Sequence, residues 1–246
     1  MKFLFFILLF SFFVNAGSSQ KIIGAAMLDE KENTTSNEKK AKYLIVLKKY
    51  NDTTFEKLDY NFAGPLQRRM MYRDSLLTSL NGSYADFRED GFIYSDGKYI
   101  NNKKEGSWYV YDDTAHAKFE YKYHLDSLTA LINLDSLSEE KKKIKDTINR
   151  TDAEYKGGNK KLHYLYSNFK MPERTQSVNS EGEIRVRFII SEDGKPIKFM
   201  IIKSLEFAAD EEALRVTAMA KDWIPATENG KKIEAGFILP FKIDIR

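Results

Sequence analysis

The stretch "EGEIRVRFIISEDGKPIKFMIIKS", Glu181 to Ser204, decides how the C-terminal part of this chain folds. Ile184, Val186, Phe188 and Ile190 alternate with Glu183, Arg185 and Arg187, which predicts a strand with one packed and one wet face. Asp193-Gly194 is the pair that a tight primed turn prefers, because both central positions of such a turn need positive φ. It predicts a hairpin with the apolar run that follows. Upstream, "GGNKKLHYLYSNFK" puts Leu162, Leu165, Tyr166 and Phe169 on one helical face, with Pro172 just beyond. Downstream, "ADEEALRVTAMAKDW" reads as a second helix. Its acids Asp210, Glu211 and Glu212 lie in the first turn, where they complement the helix dipole, and Ala213, Val216 and Ala220 form its buried stripe. Asn229-Gly230 then turns the chain into a last strand on which Phe237, Leu239, Phe241, Ile243 and Ile245 share a face. The order helix, strand, strand, helix, strand predicts an α+β domain over residues 152–246, with helices on one face of a three-stranded antiparallel sheet.

The last strand is apolar and lies at an edge. An unpaired edge is a hazard that most proteins shorten, charge or cover. It is also a place where another chain can add an extended segment. The bulk composition narrows the choice. With 246 residues, 42% of them hydrophobic, the chain has room for one large domain or two small ones. A formal charge of +3 makes no case for nucleic acid, which needs a concentrated basic face. The absence of cysteine excludes disulfides, thiolate metal sites, a cysteine nucleophile and lipid attachment through an N-terminal cysteine.

The N-terminus addresses compartment. "MKFLFFILLFSFFVNAGSSQ" has Lys2, an apolar run from Phe3 to Val14 and small residues after it. Val14-Asn15-Ala16 suits signal peptidase, with Gly17-Ser18-Ser19 as a second cut. The run is short of the ~20 residues that a membrane span needs. A cleaved secretory signal over residues 1–19 is therefore the first reading, and an inner-membrane anchor through residues 3–14 the second. The polar segment "DEKENTTSNEKKAK" has no apolar period, and residues 20–42 are expected to be a flexible lead-in. From Tyr43 to Tyr123 turn signals recur at short spacing ("NFAGP", "NGS", "EDG", "SDGK", "NNKKEG"), which predicts successive antiparallel hairpins. Over residues 124–151 the pattern changes to Leu125, Leu128, Leu131 and Ile132 at helical spacing and then a charged run, which predicts a helical linker.

Taken together, the C-terminal residues resemble the TonB C-terminal domain family, in the form found in Bacteroidetes energy-transducer proteins. The resemblance rests on Tyr155, Gly157 and Gly158; Pro172 and Gln176; Gly182, Val186, Phe188, Asp193 and Gly194; Glu212 to Arg215; Trp223 and Pro225; Asn229 and Gly230; and Leu239 and Pro240, in the family's order over about ninety residues. It implies a periplasmic protein whose last strand pairs with the extended box segment of an outer-membrane receptor or of another envelope protein. Gly236, Phe237, Ile238, Leu239, Pro240, Phe241, Lys242 and Ile243 would form that edge, with Arg174 and Gln176 as further contacts. The same strand could instead pair with a second copy in a homodimer. "DGKYINNKKEGSWYVYDD" resembles a MORN-type repeat through Gly97, Tyr99, Asn102, Lys103, Lys104, Gly106, Trp108 and Tyr111, and "LNGSYADFREDGFIYSDG" would be the preceding unit at a period of ~22 residues. A structural adaptor acting through these hairpins is the alternative function. The chain departs from a classical TonB, which has an N-terminal transmembrane helix and a long proline-rich spacer. Here the apolar run is signal-like and the whole chain has five prolines.

Nothing in the sequence argues for an enzyme or a cofactor. There is no Walker loop, no Gly-x-Ser-x-Gly elbow and no Gly-x-Gly-x-x-Gly, and no nucleophile, base and orienter stand together. His116, His124 and His163 lack the close ligand spacing that zinc demands. Gly157-Gly158 has no strand–loop–helix context for phosphate, and the periodic aromatics of the middle region read as hairpin core and not as sugar platforms. Asp74-Ser75-Leu76 and Asp126-Ser127-Leu128 resemble an O-glycosylation signal, and helix N-caps explain them equally well. The compartment reading has a direct check: N-terminal sequencing of the protein from its native cell should start between Gly17 and Gln20. A membrane-embedded chain starting at Met1 would overturn it.

Overall fold

The computed structural model describes residues 20–136, 149–158 and 165–245. The expected signal (with its alternative anchor), the charged part of the expected linker, Leu162 and His163 lie outside the described residues. Among those described, no helix is long and apolar enough to cross a membrane. The chain divides into two compact units between Asn133 and Leu134.

The N-terminal unit is a nine-stranded antiparallel sheet in which every strand pairs with its neighbour in sequence. The strands are β1 (Lys21–Leu28), β2 (Tyr43–Asn51), β3 (Thr54–Asn61), β4 (Leu66–Tyr72), β5 (Leu80–Phe87), β6 (Ile93–Ile100), β7 (Lys103–Tyr111), β8 (Ala117–His124) and β9 (Ser127–Asn133). The sheet exceeds the expected hairpin region at both ends, and two expectations are corrected. The lead-in contains β1, in register with β2. Its polar part is a hydrogen-bonded turn, with the Asp29 carboxylate accepting from the amides of Lys31 and Asn33, both at 2.9 Å. Missing apolar periodicity there reflects a turn satisfied by its own side chains. The Leu125–Ile132 stretch is strand β9 and not helix. Leu125 and Asp126, at φ 49° and 72°, make the primed two-residue turn that starts it. Leu128 and Leu131 remain more than half exposed, so their spacing was no sign of burial.

The hairpin turns are tied laterally by a device that recurs. The Leu80 amide donates to the Asn102 side chain, and the Lys104 amide to the Asp126 carboxylate, each at 2.6 Å and each spanning 22 positions. The amides of Asn102 and Asp126 answer by donating to the carbonyls of Leu80 and Lys104. Trp108 lies at the centre of the aromatic face of these hairpins and is 5% exposed. Tyr99, Tyr84 and Tyr123 surround it at ring-centroid distances of 5.1, 5.6 and 6.3 Å. Gly97 opposite has no side chain for a reason: a Cβ there would sit 2.2 Å from the indole.

The C-terminal unit is built on a second antiparallel sheet of order β13-β12-β17. Its elements in chain order are β10 (Arg150–Thr151), β11 (Glu154–Tyr155), α1 (Glu173–Ser177), β12 (Gly182–Ile190), β13 (Pro196–Lys203), α2 (Phe207–Ala218), β14 (Trp223–Ile224), β15 (Ala226–Glu228), β16 (Lys231–Ile233) and β17 (Ala235–Ile243). The predicted three-stranded antiparallel sheet and second helix are found, with short ladders added around them; much of the predicted first helix lies outside the described residues, and α1 follows Pro172, beyond that stretch. Ile184, Val186, Phe188 and Ile190 of β12 are fully buried, and Ala209, Ala213 and Val216 let α2 approach closely. Leu165 is buried, and Tyr166 and Phe169 pack on Phe241 at 5.3 and 5.7 Å.

Asn229-Gly230 forms the expected primed turn, at φ 49° and 77°. It closes the small β15–β16 hairpin, and β17 follows that. The Asp193-Gly194 turn is a correction. Only Gly194 has positive φ, and the Gly194 amide donates to the Ser191 carbonyl, so a type I turn is followed by a left-handed glycine. Gly194 is also packed tightly, because a Cβ would lie 2.4 Å from the Trp223 carbonyl oxygen.

The start of α2 is locked by two buried acids. Glu206 caps the helix by accepting from the amides of Ala208 and Ala209, at 3.1 and 2.7 Å. It also accepts from the Thr175 hydroxyl and pairs with Arg174 at 3.2 Å, which fixes α1 against α2. Asp210 is fully buried and accepts from the Ser204 hydroxyl and the Leu205 amide. Its first-turn position therefore serves the incoming loop as well as the helix dipole.

Two expectations follow. Trp108→Ala should destabilise the N-terminal unit by about 3–5 kcal/mol in urea unfolding, the usual cost of a large buried aromatic. Gly97→Ala should also lower its stability by displacing the indole, whereas unchanged unfolding in both variants would refute the core role. Glu206→Ala should cost the C-terminal unit about 1–2 kcal/mol for the lost cap. Loss of the Arg174 ion pair adds a further, smaller term because that side chain is one-fifth exposed. Glu206→Gln, which keeps an acceptor, should recover part of the loss in the same measurement.

Candidate functional site

The edge strand β17 is positioned by an unbroken register. All nine of its residues pair with β12, from Gly182↔Ile243 to Ile190↔Ala235, with no shift. Leu239, Phe241 and Ile243 are consequently buried, while Gly236, Ile238, Pro240 and Lys242 point to the wet face. Phe237 is partly buried and lies 4.5 Å from the Trp223 ring. Ile238 is 46% exposed, the largest apolar group on the strand that faces water.

Pro240 pairs with Arg185 and has no amide hydrogen. A proline inside a sheet belongs where its nitrogen is not asked to donate, on the open side of an edge strand. The pairing alternates along an antiparallel strand, so Phe237, Leu239, Phe241 and Ile243 exchange bonds with β12. The amides of Gly236, Ile238 and Lys242 then face outward. Among the described residues no strand pairs with that side.

The opposite edge, β13, is irregular. Its pairing with β12 slips at two places, Lys198 has φ 56°, and the strand begins at Pro196. Such bulges twist an edge away from a partner. The wet face between the edges carries Arg185, Arg187, Lys203 and Lys242 around one acid, Glu183. Burial acts to raise the Glu183 pKa, but hydrogen bonds from Arg185 and Lys203, at 3.0 and 3.1 Å, more than offset it and hold the carboxyl below its ordinary value.

The sequence-derived candidates thus fall into two places. Gly236 to Ile243 share one edge, of which Leu239, Phe241 and Ile243 form the packed side. Gln176 is exposed on α1, and Arg174 is engaged with Glu206 at the start of α2. Sequence reasoning did not find the pairing of Glu206 with Arg174 and Thr175. The only signal was an acid one residue ahead of an apolar helix, the ordinary place for a cap.

The other chemistry-bearing residues are accounted for by local structure. His116 lies in the Asp112 turn and its Nδ1 is 2.7 Å from the Thr114 hydroxyl. His124, 71% exposed, is 3.2 Å from Glu105. Among the described residues no three His, Cys, Asp or Glu side chains gather as a metal site would require.

No curated protein matches the chain, and no solved structure does. Residues 167–243, from the approach to α1 through the last residue of β17, match the family described as Gram-negative bacterial TonB protein C-terminal.

Proposed function

We propose that the C-terminal unit is a strand-addition socket of the cell envelope, working on the periplasmic side in TonB-type transport. The partner is the extended segment of an outer-membrane TonB-dependent receptor or of another envelope protein. One observation carries the reading: β17 is a long edge in continuous register with no bulge, and among the described residues no strand pairs with its outward side. An added strand would take its affinity from backbone bonds and its selectivity from the side chains beside Ile238 and Lys242. The family match over residues 167–243 supports this assignment. The signal-like N-terminus supports export.

A second reading is an envelope adaptor acting through the N-terminal hairpins, which resemble MORN-type repeats. It is favoured by a continuous nine-stranded sheet in which successive turns from Leu80 to Asp126 are tied laterally by repeated contacts. Energy coupling plays no part in that reading.

The test uses Ile238→Pro and Lys242→Pro, which remove outward amides without touching the packed side of β17. Peptides from candidate receptors are titrated against each variant, with circular dichroism as the folding control. Binding should weaken by at least about tenfold, ~1.4 kcal/mol, for each lost ladder bond. Side-chain changes at Ile238 that keep the amide should do less. If both proline variants stay folded and bind a verified partner as wild type does, the edge is not the socket and the adaptor reading leads. Sedimentation of the wild type separates a receptor socket from a self-paired homodimer, because only the latter loses mass in the proline variants.

A further inference from the structure

The hairpins of the N-terminal unit leave an open cleft of about 390 Å³ on the Trp108 face, within the roughly 300–1,000 Å³ range of small-ligand sites. Register puts its lining on one face. Tyr84 stands across from Gly97, Asp86 from Ser95, Tyr99 from Lys104, and Trp108 from Tyr121. Trp108 is the floor and is nearly closed off. The walls are tyrosines that remain partly open to water, Tyr121 and Tyr123 among them.

The charges decide what can enter. The Lys104 ammonium already occupies the ring cluster, 4.3 Å from the Trp108 ring and 5.1 Å from Tyr123. A cationic ligand would meet that charge in the place where the rings would otherwise attract it. Asp86, which accepts from the Tyr84 hydroxyl at 3.0 Å and from Arg68 at 3.1 Å, sets an anion in the same lining. Lys104 is already held on the rings and the Asp86 carboxylate lies in the same lining, so an anionic ligand finds no free counter-charge there. A wholly apolar ligand would cut the exposed parts of the carboxylate, the ammonium and the phenols off from water without replacing those bonds, which costs free energy at each group. What remains is a neutral molecule with apolar faces and hydroxyl edges.

We infer that this cleft binds a neutral saccharide, one or two pyranose rings of a glycan chain, with ring C–H faces on the tyrosines and hydroxyls bonded to Asp86, Lys104 and the phenols. Trp108 holds the floor rigid and is not itself the stacking surface. Burial, with the nearby Asp86 charge, raises the phenol pKa of Tyr84 and Tyr99, and the Tyr84 hydroxyl, which donates to Asp86, keeps its oxygen as an acceptor.

The test is calorimetric titration of the full chain with cellohexaose, chitohexaose and maltohexaose. Asp86→Asn keeps the shape and removes the charged acceptor, and Tyr121→Ala removes a wall. Thermal melting serves as the folding control for both. At least one oligosaccharide should bind saturably, and Asp86→Asn should weaken it at least about fivefold, ~1 kcal/mol, with little change in melting. Tyr121→Ala should weaken it too where that variant remains folded. Failure of all three sugars to bind the wild type at millimolar concentration overturns the inference, and so does undiminished binding in folded Asp86→Asn. Neither result bears on the β17 edge, which the proline variants test separately.

Discussion

The pairing of β17 with β12 fixes most of what the C-terminal unit can do. Side chains alternate with a period of two, so a slip of one residue would move Lys242 and Pro240 into the core and expel Leu239, Phe241 and Ile243. Burying an unpaired ammonium is far costlier than any turn adjustment that could accommodate the slip. Register is therefore set by burial. Register in turn sets which amides bond to β12, and Pro240 can occupy only the set that does not. The direction of the open donors thus follows from the packed face, with no contribution from a partner.

The remaining parts of that unit protect the same strand pair from the other side. α2 packs on β12 and β13 through small residues, and the β12–β13 hairpin tip rests on the Trp223 backbone at Gly194. Trp223 is buried, donates its ring N–H to the Ala220 carbonyl at 2.6 Å, and touches Phe188, Phe237 and Tyr155. It joins the helix end, the central strand and the start of β17 in one cluster. The irregular β13 edge and the regular β17 edge are then different by construction: one is twisted out of use, the other held straight.

Much of this was legible in the residues. The alternation of β12 and β17, the small-residue stripe of α2 and the primed Asn229-Gly230 turn each follow from one local rule, and tertiary packing agrees with them. What was not legible depended on contacts far along the chain. Asp193-Gly194 admits two turn types, and the seat of Gly194 against Trp223 lies outside any local window. Leu125, Leu128, Leu131 and Ile132 have helical spacing, yet the Asp126 bonds to Lys104 in β7 start a strand instead. Asp210 looked like a first-turn acid, and only burial separates a solvated dipole partner from a lock between elements. The candidate edge was readable; its outward donors needed the register.

The N-terminal sheet closes one face more completely than the other. On one, Glu56 is buried with the hydroxyl of Tyr50 at 2.8 Å and with Arg69 and Lys48 beside it. Burial acts to raise the Glu56 pKa, and the charges of Arg69 and Lys48 with hydrogen bonds from Arg69 and Tyr50 more than offset it, so the carboxylate stays charged and the cluster closed. A closed ion cluster has no acceptor left to offer a ligand. On the other face Phe55, Met70 and Tyr72 form a small apolar core with Tyr84 packed against it, and the tyrosines continue outward from there. Their hydroxyls and the Asp86 carboxylate meet water at the cleft. The Glu56 face also buries Val46, Leu58 and Tyr60, and the Tyr84 face also carries the Arg68–Asp86 and Lys57–Asp59 ion pairs, so each face combines packing with paired charge. On the Tyr84 face polar groups are left at the rim, where a ligand can reach them.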